Sequence, residues 1–312
     1  MMRMFRGFAA LPSDVLPTVA AIGNFDGVHL GHQALLKTLR NEADARGLHA
    51  CAVTFFPHPL KVLDPARAPT MIQSLEDRIR EFERLGVDLL VVVPFTLELA
   101  AVPAEDFISD HLLRRLGCRV LVVGADVRFG RDRQGDLEML RRHAALGAFD
   151  LIVVPAVEAD GARVSSSRIR RLIAQGEVEA AARLIGRPFT VSGEVVTGAG
   201  RGRTLGFPTA NVLADAETRP RDGVYACLAE VDGDTWPAAV HHGPIPTFRS
   251  DRPVLEAHLI GFSGDLTGRR IRIRFLRYLR EIRPFSDLED LKAQIARDIV
   301  ETRRIASEQT RF

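Results

Sequence analysis

The chain is poor in sulfur, in large aromatics and in net charge, and each shortage excludes something. A single tryptophan in 312 residues, with 46% hydrophobic and 26% charged residues, is an ordinary globular composition rather than a fibrous or disordered one. The formal net charge of +2 makes no electrostatic case for a nucleic-acid partner or an acidic membrane surface. Paired arginines such as Arg114–Arg115 and Arg269–Arg270 therefore read as solvated faces. No uninterrupted apolar run approaches the ~20 residues of a membrane span. The N-terminus MMRMFRGFAALP lacks the continuous apolar core of a signal peptide. Cys51, Cys118 and Cys227 are an odd number of widely separated thiols inside apolar runs, and they read as core residues in a reducing compartment. The expectation is a cytoplasmic protein with no nucleic-acid and no membrane partner; the sequence carries no signal for its oligomeric state.

At 312 residues, two domains are expected. From Val19 to Pro155 short apolar runs alternate with helical patterns. AAIG, HACAVTFF, DLLVVVPF, CRVLVVGA and DLIVVPAV are apolar on both faces and read as buried strands. Between them, His32–Arg46, Ser74–Leu85 and Ala104–Leu116 read as amphipathic helices. Such alternation predicts a doubly wound α/β domain, a Rossmann-like parallel sheet flanked by helices. A helical stretch Ser166–Gly186, with stop signals at Gly176 and Gly186, closes this part. After Pro188 the runs FTVSGEVVTG, GVYACLAEV, TWPAAVHHG, VLEAHLIGF and RRIRIRFLRYL are strand-like and separated by turn residues. A last helix begins at Ser286, with Ser286 and Glu289 as a capping box and Leu288, Leu291, Ile295 and Ile299 on one face. The expected second domain is a small antiparallel β-barrel with a C-terminal helix. With no low-complexity linker in sight, the domains are set at 1–185 and 186–312.

Chemistry concentrates in a few stretches. GNFDGVHLGH ends a strand in small residues and opens a helix, so Gly23, Asn24, Phe25, Asp26 and Gly31 form a plausible phosphate cradle. His29 and His32, three apart, share one side of a helical turn and can both reach one triphosphate. A metal reading of these histidines is weaker, because no third His or Cys lies nearby at ligand spacing. TFFPHP, GADVRFGRDRQG and VSSSRIR also stand at strand ends or a helix start, where open α/β sheets hold ligands. Taken singly, His58 between two prolines reads equally as a rigid turn, and Ser165–Ser167 as an N-cap. In the second half, GRGRTLGFPTANV reads either as a hairpin loop or as a Gly-rich flap over phosphates. In the second case Gly202 and Gly206 line the flap, and Thr209 and Asn211 offer hard oxygen ligands to Mg²⁺.

GNFDGVHLGH, TFFPHP, GADVRFG and SSSRIR, in this order, resemble the adenylyltransferase module of the bacterial bifunctional riboflavin kinase/FMN adenylyltransferases, the prokaryotic FAD synthetases. HLGH is similar to the HxGH signature of the wider nucleotidyltransferase superfamily. The resemblance implies that His29 and His32 bind the ATP phosphates and stabilise charge on the α-phosphoryl group. Ser165, Ser166 and Arg170 match the family's Ser-Ser-Thr-x-x-Arg segment, which holds the leaving pyrophosphate. His58, Asp126 and Arg128, in the second and third motifs, are the implied flavin contacts. GRTLGFPTAN resembles the riboflavin kinase fingerprint, with Thr209 and Asn211 on Mg²⁺, and LEAHL the segment whose glutamate, here Glu256, is the base. The implied enzyme makes FMN from riboflavin and ATP in the barrel, and FAD from FMN and ATP in the first domain. Its partners are small molecules and flavin is a substrate.

The chain departs from the family pattern at named positions. Ser167 stands for a Thr and Val127 for a frequent Phe. In the barrel, His241 stands for an Asn, Ile245 for an Arg, Gly261 for an Asp, Thr267 for a Tyr and Ile282 for a Glu. Thr209, Asn211 and Glu256 are retained. The departures raise a second reading, an FMN adenylyltransferase whose kinase-like barrel binds flavin or assembles without turnover.

Overall fold

The computed structural model describes residues 1–198, 202, 205–243 and 254–309. The chain divides into two compact units, Met1–Pro69 with Leu75–Val164 and Thr70–Ser74 with Ser165–Phe312.

The first unit is built on a parallel sheet of β1 (Arg3–Arg6), β2 (Thr18–Ile22), β3 (His49–Phe56), β4 (Leu89–Pro94), β5 (Cys118–Gly124) and β6 (Asp150–Val154), in the order β1-β4-β3-β2-β5-β6. Alternate residues of each strand feed two cores. Ala20, Cys51, Val53, Leu89, Val91 and Val93 enter one, and Val19, Ala21, Ala50, Ala52, Leu90 and Val92 enter the other. Covering both faces explains why these strands read as unbroken apolar runs. The helix Leu30–Arg46 closes the second core with Leu35, Leu36, Leu39 and Ala43, and each fully buried leucine contributes about 1.5–3 kcal/mol. The edge strand β1 was absent from the sequence expectation, because MMRMFR lacks β-branched residues and its ladder to β4 is a long-range contact. The expected helix Ala104–Leu116 forms, but Phe107–Arg115 is wound as a π-helix that ends with the Leu116 amide on the His111 carbonyl at 3.0 Å. The three cysteines are free and buried; burial pushes the Cys118 thiol up to about 12.

After the sheet, β7 (Glu158–Ala159) and β8 (Ala162–Arg163) form a short antiparallel pair. The main run of the second unit opens with the helices Ser166–Ala174 and Val178–Ile185. The helical stretch stops at Gly176 and again at Gly186, as expected, with φ of +81° and +80° that only glycine adopts at no steric cost. A closed antiparallel barrel follows, ordered β10-β13-β12-β11-β14-β9, where β9 is Phe189–Val196, β10 Ala210–Ala214, β11 Gly223–Val231, β12 Asp234–His242, β13 Val254–Leu259 and β14 Arg270–Arg280. Five of these strands coincide with the expected runs; β10 lay hidden inside the GRTLGFPTAN segment. Phe189, Tyr225, Phe275, Val240 and Ala257 fill the interior, with Tyr225 edge-on to Phe275 at 5.2 Å.

The C-terminal helix Leu288–Gln309 corrects two expectations. Its cap is Asp287, whose Oδ1 accepts from the Asp290 amide at 2.8 Å, while Ser286 bonds the Asp290 side chain and Glu289 pairs with Lys292. Its buried residues are Asp298, Thr302, Ile305 and Ala306, and Leu288 is exposed. The reason is the wall it covers: Ala226 and Leu276 meet the last turns, and Arg280 grips Asp298 through three bonds of 2.8–3.1 Å.

Gly193 of β9 carries no side chain because a Cβ would stand 2.3 Å from the Leu213 carbonyl oxygen. Gly193→Ala is expected to lower unfolding free energy by about 1–3 kcal/mol, read by urea titration of Trp236 fluorescence.

Candidate functional site

In the first unit, β2 ends in a loop that reverses into the helix Leu30–Arg46 through unusual backbone. Phe25 and Val28 have φ of +50° and +36°, a region costly to residues with a Cβ. Two groups hold it. The Phe25 ring is buried edge-on against Phe82 and His32, at 5.2 and 5.3 Å. Arg78, only 1% exposed, donates from Nη1 to the Asn24 carbonyl at 2.7 Å and to Thr54 Oγ1 at 3.3 Å. Thr54 in turn donates to the same carbonyl at 3.1 Å. Burial pulls the Arg78 pKa below the usual guanidinium value, opposed by the charge of buried Asp26.

His29 caps the helix: its Nδ1 accepts from the His32 amide at 3.4 Å, which leaves Nε2 as the donor of the neutral ring. The two imidazoles stack at 3.7 Å with planes 14° apart. Gly31 is required between them, since a Cβ would press on the His29 ring at 3.2 Å. A Cβ on Gly23 would likewise meet the Phe25 ring at 3.3 Å. His32 Nδ1 is buried without a hydrogen bond among the described residues. Its pKa lies well below the ordinary value, first through burial, then through His29 and Arg78. The result is two stacked imidazoles at a helix start, a cradle whose helix terminus favours an anion.

Of the expected flavin contacts, His58 caps the short helix Pro59–Leu63 through Nδ1 and places Nε2 3.3 Å from the Asn24 amide nitrogen. Asp126 pairs with Arg163, and exposed Arg128 lies 3.9 Å from Asp136. His58 thus adjoins the cradle through Asn24, whereas Asp126 and Arg128 follow β5. In the second unit Ser165 is the N-cap of Ser166–Ala174, accepting from the Arg168 amide at 3.3 Å. Arg170 Nε donates to the Thr70 carbonyl at 2.7 Å.

The barrel brings a second set together on its outer wall. Asn211, Glu256 and His241 face one another in register across β10, β13 and β12, and directly paired residues point to the same side. Thr209, two residues before Asn211, shares that side and is exposed. Two glycines make room for them. A Cβ on Gly198 would overlap the Asn211 amide at 1.9 Å, and one on Gly202 would reach Thr209 Oγ1 at 2.9 Å. Gly202 also accepts from the Phe207 amide at 2.8 Å, and Gly206 lies in the turn between. His241 Nδ1 is 3.8 Å from Glu256 Oε2. Burial lowers the His241 pKa; Glu256 and Asp222 oppose this, and Arg280 adds to it.

Residues 12–168 match the family model described as FAD synthetase, and residues 185–306 the one described as riboflavin kinase. The bifunctional riboflavin kinase/FMN adenylyltransferase of Pseudomonas fluorescens is 38% identical over 98% of this chain and 98% of its own length. The chain belongs to the bifunctional riboflavin kinase/FMN adenylyltransferase family. Its relative from Escherichia coli (strain K12) is 39% identical over 90% of either chain. A crystal structure described as a macrolide-efflux protein from Streptococcus pneumoniae is 29% identical with a TM-score of 0.84, covering 97% of this chain and 98% of that one. That description belongs to that protein; among the described residues here no helix is long and apolar enough to cross a membrane.

Several departures from the family pattern have local reasons. Gly261 has φ +89° and follows β13 in a turn, a conformation in which any side chain is strained. The Thr267 amide donates to Asp265 Oδ1 at 2.9 Å, but nothing in the structure explains its side chain. Ile282 packs on Gly243, where a Cβ would come within 2.3 Å of its Cδ1. Ile245 lies outside the described residues.

Two residues had escaped the sequence reading as site residues. Arg78 reads as one more charge on an amphipathic helix. Its signal is position: Leu75, Arg78 and Phe82 are spaced i, i+3, i+7, which puts Arg78 on the apolar stripe. His241 registered only as a departure, and strand pairing reveals its neighbour.

A histidine whose folded pKa is depressed costs stability as pH falls, because the unfolded chain takes up a proton near pH 6.5 that the folded chain refuses. Unfolding free energy is therefore expected to decrease below pH ~6.5, and His32→Asn to flatten that slope relative to wild type in parallel urea titrations.

Proposed function

We infer that the chain carries both activities of its family. It phosphorylates riboflavin with ATP to give FMN and ADP, and adenylylates FMN with a second ATP to give FAD and pyrophosphate. The observation that carries this reading is the coexistence of two clusters, stacked His29 and His32 in the sheet unit and the Asn211–Glu256 row in the barrel. Residues 1–185 are assigned to adenylyl transfer and residues 186–312 to the kinase. The family's substrates, ATP, riboflavin and FMN, are small molecules, and the cytoplasm is the proposed compartment.

Adenylyl transfer needs no covalent nucleophile, because the attacking FMN phosphate is already an anion. The α-phosphorus is attacked, the bond to the bridging oxygen breaks, and pyrophosphate leaves with the electron pair. What the protein supplies is position and charge. In this reading Gly23, Asn24, Phe25, Asp26 and Gly31 shape the cradle through their backbone, and His29 and His32 donate to the phosphates. A bound triphosphate would raise the depressed His32 pKa, since an adjacent anion favours imidazolium. Ser165, Ser166 and Arg170 bind the pyrophosphate, and His58, Asp126 and Arg128 the flavin.

In the barrel, Glu256 accepts the proton of the ribityl hydroxyl as its oxygen attacks the γ-phosphorus and ADP leaves. Gly202 and Gly206 let backbone approach the phosphates. Thr209 and Asn211 offer hard oxygens beside the backbone of Gly202 and Gly198, which approaches them closely because neither glycine carries a Cβ, and such oxygens suit Mg²⁺. Bound there, Mg²⁺ would neutralise phosphate charge.

Three outcomes test this reading, each measured by separating flavins chromatographically after incubation with Mg-ATP. Glu256→Ala is expected to lower FMN formation from riboflavin by about 10²–10⁴-fold and to leave FAD formation from supplied FMN intact. His32→Ala is expected to do the reverse, losing about 10²–10³-fold in FAD formation. Removing Mg²⁺ with EDTA should stop FMN formation, and its restoration should recover it. FAD from FMN in the absence of any FMN from riboflavin would reduce the chain to an adenylyltransferase.

A further inference from the structure

β12 places an imidazole beside the carboxylate to which the kinase reading gives the base role, and nothing in that reading uses it. His241 pairs in register with Glu256, and its Nδ1 stands 3.8 Å from Glu256 Oε2. That is ion-pair range, about 1 Å longer than a hydrogen bond. The nitrogen is buried and makes no hydrogen bond among the described residues, an arrangement that costs free energy unless a partner arrives. The other charged or titratable groups facing this ring are Arg280 at the end of β14, Asp222 before β11 and neighbouring His242. Each is engaged elsewhere: Arg280 by Asp298, and Asp222 by His242 at 3.3 Å. Among the described residues, Glu256 is the carboxylate nearest His241 Nδ1 that these pairs leave available.

We propose that His241 is a positioning residue for phosphoryl transfer, donating from Nδ1 to Glu256 Oε2 so that the opposite oxygen, Oε1, is presented to the substrate hydroxyl. A carboxylate on a strand side chain rotates freely about its last torsion, and a donor on one oxygen removes that freedom. In the reaction the hydroxyl proton passes to Glu256 Oε1, the O–P bond forms at the γ-phosphorus, and ADP leaves; His241 exchanges no proton. The ring acts as a neutral donor, consistent with its burial. An asparagine amide at this position reaches close to where Nδ1 stands, so it can supply the same hydrogen bond without the ring.

The inference rests on the base role of Glu256, and the experiment separates the two. Riboflavin phosphorylation by the full chain is measured for wild type, His241→Leu, His241→Asn and Glu256→Gln. His241→Leu is expected to lower kcat about 10- to 100-fold and to leave KM for riboflavin and ATP within about threefold, because the donor orients a reacting group rather than binding substrate. His241→Asn should recover most of the loss. Trp236, on the same strand, reports barrel integrity by fluorescence; if leucine unfolds the barrel, His241→Ser replaces it with the same expected loss. An unchanged kcat in His241→Leu with an inactive Glu256→Gln overturns the positioning role alone. So does an asparagine variant as impaired as leucine, or a loss confined to KM. Wild-type turnover in Glu256→Gln overturns the base assignment and this inference with it.

Discussion

A buried guanidinium governs the nucleotide-facing half of this protein. Arg78 sits inside a core of Phe25, Phe82 and parallel strands, where an unpaired charge is prohibitively costly. It is tolerated because the Asn24 carbonyl, the Thr54 hydroxyl and the Asp26 charge surround it. The converse matters more. The loop needs Arg78, since left-handed Phe25 and Val28 would relax to ordinary backbone if the Asn24 carbonyl lost its partners. His29 then caps the helix, His32 stacks beneath it, and Arg78 helps keep the second ring neutral. The two-histidine cradle is thereby held in one geometry by contacts within the protein, and a preorganised site lowers the ordering cost of binding.

The barrel solves a different problem. Six strands enclose too little volume for a ligand once Tyr225, Phe275 and Phe189 are inside. Chemistry must therefore sit on the outer wall, among residues that alternate with the core. The C-terminal helix occupies part of that wall, and the Asn211–Glu256–His241 row crosses another part. Glycine at 198 and 202 lets backbone pack directly against Asn211 and Thr209. The Arg280–Asp298 bridge ties the helix to the end of β14, so the wall, the helix and the row form one packed assembly.

Much of this was legible in the residue order. The parallel strands announced themselves because burial on both faces leaves continuous apolar runs, and five barrel strands did so by their turn-bounded β-branched content. The ordered motifs identified the family. What went unread failed for identifiable reasons. β1 is stabilised by a ladder to β4, not by its own composition. β10 was masked by the glycines preceding it. The buried face of the last helix followed the barrel wall, not the helix's most apolar stripe, because Asp298 had a cation waiting and Leu288 did not have a wall.

The sequence by itself determined the class of each domain and the family, since these depend on local pattern and on motif order. Only the tertiary structure decided that Arg78 underpins the histidine cradle and that His241 is the neighbour of Glu256. Both facts are contacts between residues distant in the chain, with Arg78 lying 54 residues from Asn24, and His241 brought to Glu256 by strand register. A charge or an imidazole has no readable role until burial removes water and leaves it a single partner.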